Sequence, residues 1–140
     1  MTLEIQIERV LPKPIHEVFE AIVDPQKMKR YFITESSGPM QEGKTVTWTW
    51  ADYNAIQDIS IEKIRPPTLI AFSWTPHSTP THVDITLTPI QPTQTRVHIR
   101  ETGWEPTPEG IASFAENVQG WTDFLLSLKA YLQYGINLRS

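Results

Sequence analysis

One long amphipathic helix at the end of the chain constrains the fold more than any other feature. The pattern runs from Thr107 to Leu138, and almost everything before it reads as β-strand. Thr107-Pro108-Glu109 marks the start: a hydroxyl N-cap, a proline at the first helical position, and an acid in the first turn. Apolar residues recur at Ile111, Phe114/Ala115, Val118, Trp121, Leu125, Leu128 and Leu132, in steps of three and four that keep one stripe on one side. Gly135 stands where a C-terminal cap is expected. At 1.5 Å per residue the helix is roughly 40 Å long. A stripe of that length needs a partner surface of similar length, and a curved sheet supplies one. A sheet gripping a single helix leaves space between the two layers, where function is to be sought.

The preceding segments supply that sheet. Leu3 to Val10 alternates, with Leu3, Ile5 and Ile7 on one face. Pro12-Lys13-Pro14 stops this strand. Ile15, Val18, Phe19 and Ile22 then follow a helical period, and Asp24-Pro25 opens a second short helix carrying Met28, Tyr31 and Phe32. Thr45 to Trp50 alternates strictly, with Val46, Trp48 and Trp50 on one face and threonines on the other. Further strands are expected over Ile56 to Ile64, Leu69 to Thr75, Thr81 to Thr88 and Thr95 to Thr102, separated by Pro- and Gly-containing turns. Short turns between consecutive strands favour an antiparallel meander. Strands kept apart from helices define an α+β class. The expected architecture is a six-stranded antiparallel sheet curved around a long C-terminal helix, with two short helices after the first strand, forming one domain over 1–140.

Composition narrows the function classes. Net charge is −4, with no Lys/Arg cluster, which argues against nucleic acid or an anionic membrane as partner. No cysteine is present, so disulfides, thiolate chemistry and Cys-based metal sites are excluded. No apolar stretch reaches the length of a membrane span. Met1-Thr2-Leu3-Glu4 does not read as the start of a signal peptide, so a cytoplasmic location is expected. No Gly-rich phosphate loop is present, and neither a cofactor nor a metal site is expected.

At this point the residues carry a family likeness. Pro14-Ile15-His16-Glu17-Val18-Phe19-Glu20-Ala21-Ile22 with Asp24-Pro25 and the pair Tyr31-Phe32 form one segment. Gly103-Trp104 leaving the last strand is another. Gly120-Trp121 followed by Leu125, Leu128, Lys129, Tyr131-Leu132 and Gly135 is the third. Together with the order of elements, they make the chain resemble the helix-grip, START-like (SRPBCC) superfamily, which includes polyketide cyclases and the birch-pollen allergen type. Within it, the chain resembles bacterial stand-alone proteins related to the C-terminal domain of the heat-shock protein 90 ATPase activator. The resemblance implies a hydrophobic cavity between sheet and helix and an association with stress response, but no particular ligand. The chaperone activator has a separate N-terminal domain that this chain lacks, which weakens the case for ATPase activation.

The inward strand faces supply the candidate ligand-binding residues: Trp48, Trp50, Ile61, Phe72, Trp74, Val83, Ile85, Val97 and Ile99. The strand exit and the helix add Trp104, Phe114, Val118 and Trp121. As pocket lining they would hold a flat apolar ligand; as plain core they would only pack. Among the histidines, His16 is expected on an exposed helix face, His77 in a Pro-bounded loop, and His82 and His98 on the outer sheet face. None belongs to a recognisable triad or a helical zinc spacing. Asp84, Arg96, His98, Arg100 and Glu101 form a polar cluster on the last two strands, expected as a solvated face. Glu101 falls on the inner or outer face according to whether a bulge intervenes, and an inward carboxylate or Arg100 would be the best candidate for acid–base work.

The resulting expectation is a monomeric protein, with no catalytic residue assigned, that binds a lipid-, sterol-, flavonoid- or polyketide-like molecule in its cavity. The alternatives are a co-chaperone-like module with a chaperone or other protein partner, and a cyclase or hydrolase using a cavity polar residue.

Overall fold

A computed structural model describes residues 3–139, so Met1, Thr2 and Ser140 lie outside the description. Strand β1 (Ile5–Leu11) leads into helix α1 (Ile15–Val23) and the single turn of α2 (Pro25–Met28), capped by the Asp24 carboxylate accepting from the Gln26 N–H. Then come β2 (Glu35–Ser36), β3 (Thr45–Trp50), β4 (Ala55–Arg65), β5 (Leu69–Trp74), β6 (Thr81–Gln91), β7 (Gln94–Thr102) and helix α3 (Pro108–Tyr134).

The sheet is antiparallel in the order β1-β7-β6-β5-β4-β3-β2. It has seven strands rather than the expected six. The additional one, β2, is two residues long and pairs with β3 through Glu35↔Thr49 and Ser36↔Trp48. Two residues carry no alternation that periodicity could register. β1 lies against β7, closing a meander whose first and last strands are neighbours. A short 3₁₀ turn, Ala51–Tyr53, fills the connection expected as a turn between β3 and β4.

Helix α3 begins as its sequence dictates, with the Thr107 hydroxyl accepting from the Gly110 N–H at 3.0 Å and Pro108 inside the first turn. It ends at Tyr134, with Gly135 as the expected cap in the left-handed conformation at φ 66°, so the apolar pattern out to Leu138 lies beyond the helix. Its burial is uneven. The buried residues are Trp121, Phe124, Leu125, Ser127 and Leu128, all in the second half. Ile111, the first residue of the expected stripe, is half exposed. The helix is therefore gripped by the sheet mainly in its second half.

The core fills the space between the concave sheet face, α1 and that half of α3. Alternation holds along β6 and β7: Val83, Ile85 and Leu87 are buried on one, Thr95, Val97, Ile99 and Glu101 on the other.

Candidate functional site

Glu101 is the one charged side chain among the buried polar residues described, with no exposed surface. No bulge puts it there. It shares the parity of Val97 and Ile99 on β7, and its neighbours across the sheet are Ile5 on β1 and Val83 on β6. Grouping it with the outer polar cluster is corrected by this register. Asp84, Arg96, His98 and Arg100 do face outward, where Arg96 pairs with Glu8 at 3.0 Å and Arg100 with Glu4 at 2.8 Å. His98 contacts Gln6, and His82 lies between Glu62 and Asp84, so the two histidines do not pair with each other.

A buried carboxylate is costly unless hydrogen bonds replace its hydration. Here four donors do so, two on each oxygen. The Trp74 indole N–H and the Thr81 hydroxyl donate to Oε2 at 2.8 and 2.6 Å. Trp74 ends β5, Thr81 opens β6, and the two are cross-strand partners, so the sheet brings them side by side. The Trp121 indole N–H and the Asn117 amide donate to Oε1 at 2.7 and 3.0 Å. These two are four residues apart on α3 and therefore project from one helix face. Glu101 thus links sheet to helix, using one oxygen for each. Four donors match the acceptor-only inventory of an ionised carboxyl group.

The network continues outward. Asn117 turns its amide nitrogen to Glu101, so its oxygen faces His77 Nε2 at 2.7 Å, and His77 donates there. His77 Nδ1 lies 3.7 Å from the exposed Glu116 carboxylate.

Beside this network is a cavity of about 520 Å³, within the range of small-molecule sites. Four of its rings form a closed circuit. Phe32 and Trp50 have centroids 5.4 Å apart, Trp50 and Trp74 6.5 Å, Trp74 and Trp121 5.7 Å, and Trp121 and Phe32 6.3 Å. Tyr31 and Phe124 extend the aromatic lining. The Tyr31 hydroxyl donates to the Ala21 carbonyl at 2.8 Å, and burial, reinforced by Tyr131, pushes its pKa well above the ordinary value. The polar lining comes from Gln57, His77, Glu116, Asn117, Gln119 and Asp123. Arg139, which also lines the cavity, is held by Asp52 at 2.9 Å and lies over the Tyr53 ring, 5.2 Å from its centroid.

Of the candidate residues, Trp50, Trp74 and Trp121 line this cavity. Trp48 and Phe72 stand behind them, Trp48 meeting the edges of Trp50 and Trp74 at 6.1 and 6.3 Å. Ile61, Val83, Ile85, Val97 and Ile99 are buried in the core. Trp104 packs edge-on against Phe114 at 6.0 Å, and Val118 packs partly buried against the core; these three are outside the cavity lining. Tyr31, Phe32, His77, Asn117 and Phe124 enter the site without having been singled out as ligand contacts. The cavity wall on α3 is the face carrying Glu116, Gln119, Gly120, Asp123 and Ser127, which flanks the apolar stripe. A hydropathy search passes over such a face.

Each Glu101 oxygen already accepts two hydrogen bonds, so proton abstraction would require displacing a donor. No group of three or more metal-ligating side chains occurs among the described residues. No helix there is long and apolar enough to cross a membrane.

The chain belongs to the family of Activator of Hsp90 ATPase homolog 1-like proteins, whose model matches residues 12–133. Among solved structures it is similar to a protein from Staphylococcus saprophyticus, with 29% identity, 99% of this chain and 97% of the other covered, and a TM-score of 0.84. A protein of the dynemicin biosynthetic locus superposes with a TM-score of 0.84 at 24% identity, over 95% of this chain and 48% of the other. The Aha1 dimer from Colwellia psychrerythraea gives 0.81 at 21% identity, over 95% and 98%. No curated protein matches the sequence.

Proposed function

We propose that this protein binds a small molecule with a flat apolar or aromatic body in the cavity between the sheet and α3. The observation that carries this reading is the pair Trp74 and Trp121, both lining the cavity and both held by the Glu101 carboxylate. A fixed indole loses little freedom when a ligand stacks on it, so less of the gain from burial is lost to ordering. That gain is roughly 25 cal/mol per Å² of apolar surface. Fixed walls with polar groups at the edge suit recognition more than turnover. Catalysis by a cavity polar residue ranks lower, because Glu101 has no free lone pair directed at a substrate.

A protein-interaction role, suggested by the family's name, would draw on the outer sheet face. There Arg96, Arg100 and His82 are already paired with carboxylates of this chain, which leaves few charges to recognise a partner. It is the second reading.

An amide and indole NMR titration against lipids, sterols, flavonoid-like aromatics and polyketide-like compounds tests the proposal. Saturable shifts at the Trp50, Trp74 and Trp121 indoles and at Gly120 are expected. A panel that shifts none of them, or only β1 and the outer face of β7, overturns it.

A further inference from the structure

We infer that the ligand of this cavity is an organic cation, an alkylated ammonium or protonated amine on an apolar body. This rests on the small-molecule reading above and adds the sign of the charge. The first support is the closed circuit of Phe32, Trp50, Trp74 and Trp121, with neighbouring centroids between 5.4 and 6.5 Å apart. Aromatic faces carry the negative part of the ring quadrupole and attract cations, and tryptophan does so most strongly.

The second is the placement of Glu101. The indole N–H of Trp74 and that of Trp121 both donate to its carboxylate. A donor bonded to an anion is polarised toward it, and electron density shifts into the ring. Two of the four rings are thereby made more negative on their faces, with an anion behind them.

The third is the charge of the lining. Glu116 and Asp123 stand seven residues apart on α3, two turns along one face, and both line the cavity. The one Lys or Arg in the lining is Arg139, whose guanidinium is engaged by Asp52 and by the Tyr53 ring. An anionic ligand would find no unengaged Lys or Arg among the described lining residues. A cation would find an aromatic lining and two exposed carboxylates on the α3 wall, Asp123 and Glu116, the latter 3.7 Å from His77 Nδ1.

Three probes of similar shape separate the outcomes: phenyltrimethylammonium, its neutral isostere tert-butylbenzene, and benzenesulfonate, each titrated into the full chain by NMR and tryptophan fluorescence. The cation is expected to bind at least about tenfold more tightly than the neutral isostere, the ratio for a desolvated cation–π site. In the Glu116→Gln/Asp123→Asn variant, which changes two exposed side chains, that ratio should fall several-fold. Equal binding of cation and neutral isostere, or tighter binding of the sulfonate, overturns the charge assignment and leaves the small-molecule reading standing. Failure of all three to produce saturable shifts at the cavity indoles overturns the charge assignment. The small-molecule reading then fails separately if the wider panel is silent too.

Discussion

The Trp121 indole N–H donates to Glu101 Oε1 at 2.7 Å, joining the long helix to the last strand across a buried contact 20 residues apart in sequence. Trp74 makes the equivalent bond from the sheet side at 2.8 Å. Both indoles line the cavity, and the Trp121 bond ties α3 to the sheet.

Removal of that acceptor should cost both. Glu101→Ala leaves two indoles, an amide and a hydroxyl without their buried partner, and a loss of about 3–5 kcal/mol is expected in urea unfolding. Glu101→Gln keeps one oxygen and should cost less, about 1–3 kcal/mol. In Glu101→Gln one indole keeps a neutral oxygen and the other faces the amide nitrogen, so both indole N–H resonances should move upfield, one further than the other. In Glu101→Ala both should lose their acceptor, and an indole that does not shift there is not held by the carboxylate.

Tyr31 offers a test by pH. Burial, and secondarily Tyr131, raises its folded pKa well above the ordinary 10.0, so the folded state keeps a proton that the unfolded chain releases. The associated stability is fully present below the unfolded pKa and is lost as pH rises above it. Unfolding free energy should therefore decline above about pH 10. In Tyr31→Phe that alkaline slope should be shallower. The variant should also lose about 1 kcal/mol near neutrality, because the Ala21 carbonyl loses its donor.

Gly120 lies on the cavity wall in the middle of α3, and a Cβ there meets nothing within 4 Å. Gly120→Ala should stabilise the protein by about 0.5–1 kcal/mol through helix propensity. Gly120→Leu should fold, narrow the cavity and weaken any cavity ligand by about tenfold or more. Thermal melts and the NMR titration report the two effects separately.

Gly110 tests the opposite case. Its Cβ would stand 1.9 Å from the Glu105 carbonyl oxygen, so Gly110→Ala must displace the chain that enters α3. A loss of about 2–4 kcal/mol is expected, measured by urea unfolding, with the Trp104 resonances shifted. A neutral substitution would show that the Glu105 segment moves freely.

Much of this fold could be read from residues alone. Capping at Thr107-Pro108 and Gly135 bounded α3, and period-two alternation placed Trp48, Trp50, Phe72, Trp74, Val97 and Ile99 on the inner face, because both signals act over a few residues of chain. The two-residue β2 lay below that resolution. Glu101 was left open between the two faces and grouped with the outer polar cluster, because a charged residue at a strand end reads as solvated until its register and partners are known. Those partners, Trp74, Thr81, Asn117 and Trp121, stand 16 to 27 residues away, and only the packing of α3 on the sheet brings their donors to one carboxylate. The same packing decided which inward side chains line space and which fill it. Periodicity specifies direction, whereas the gap between two layers depends on the volume of every side chain between them. The inner face was therefore a property of the sequence, and the cavity a property of the tertiary structure.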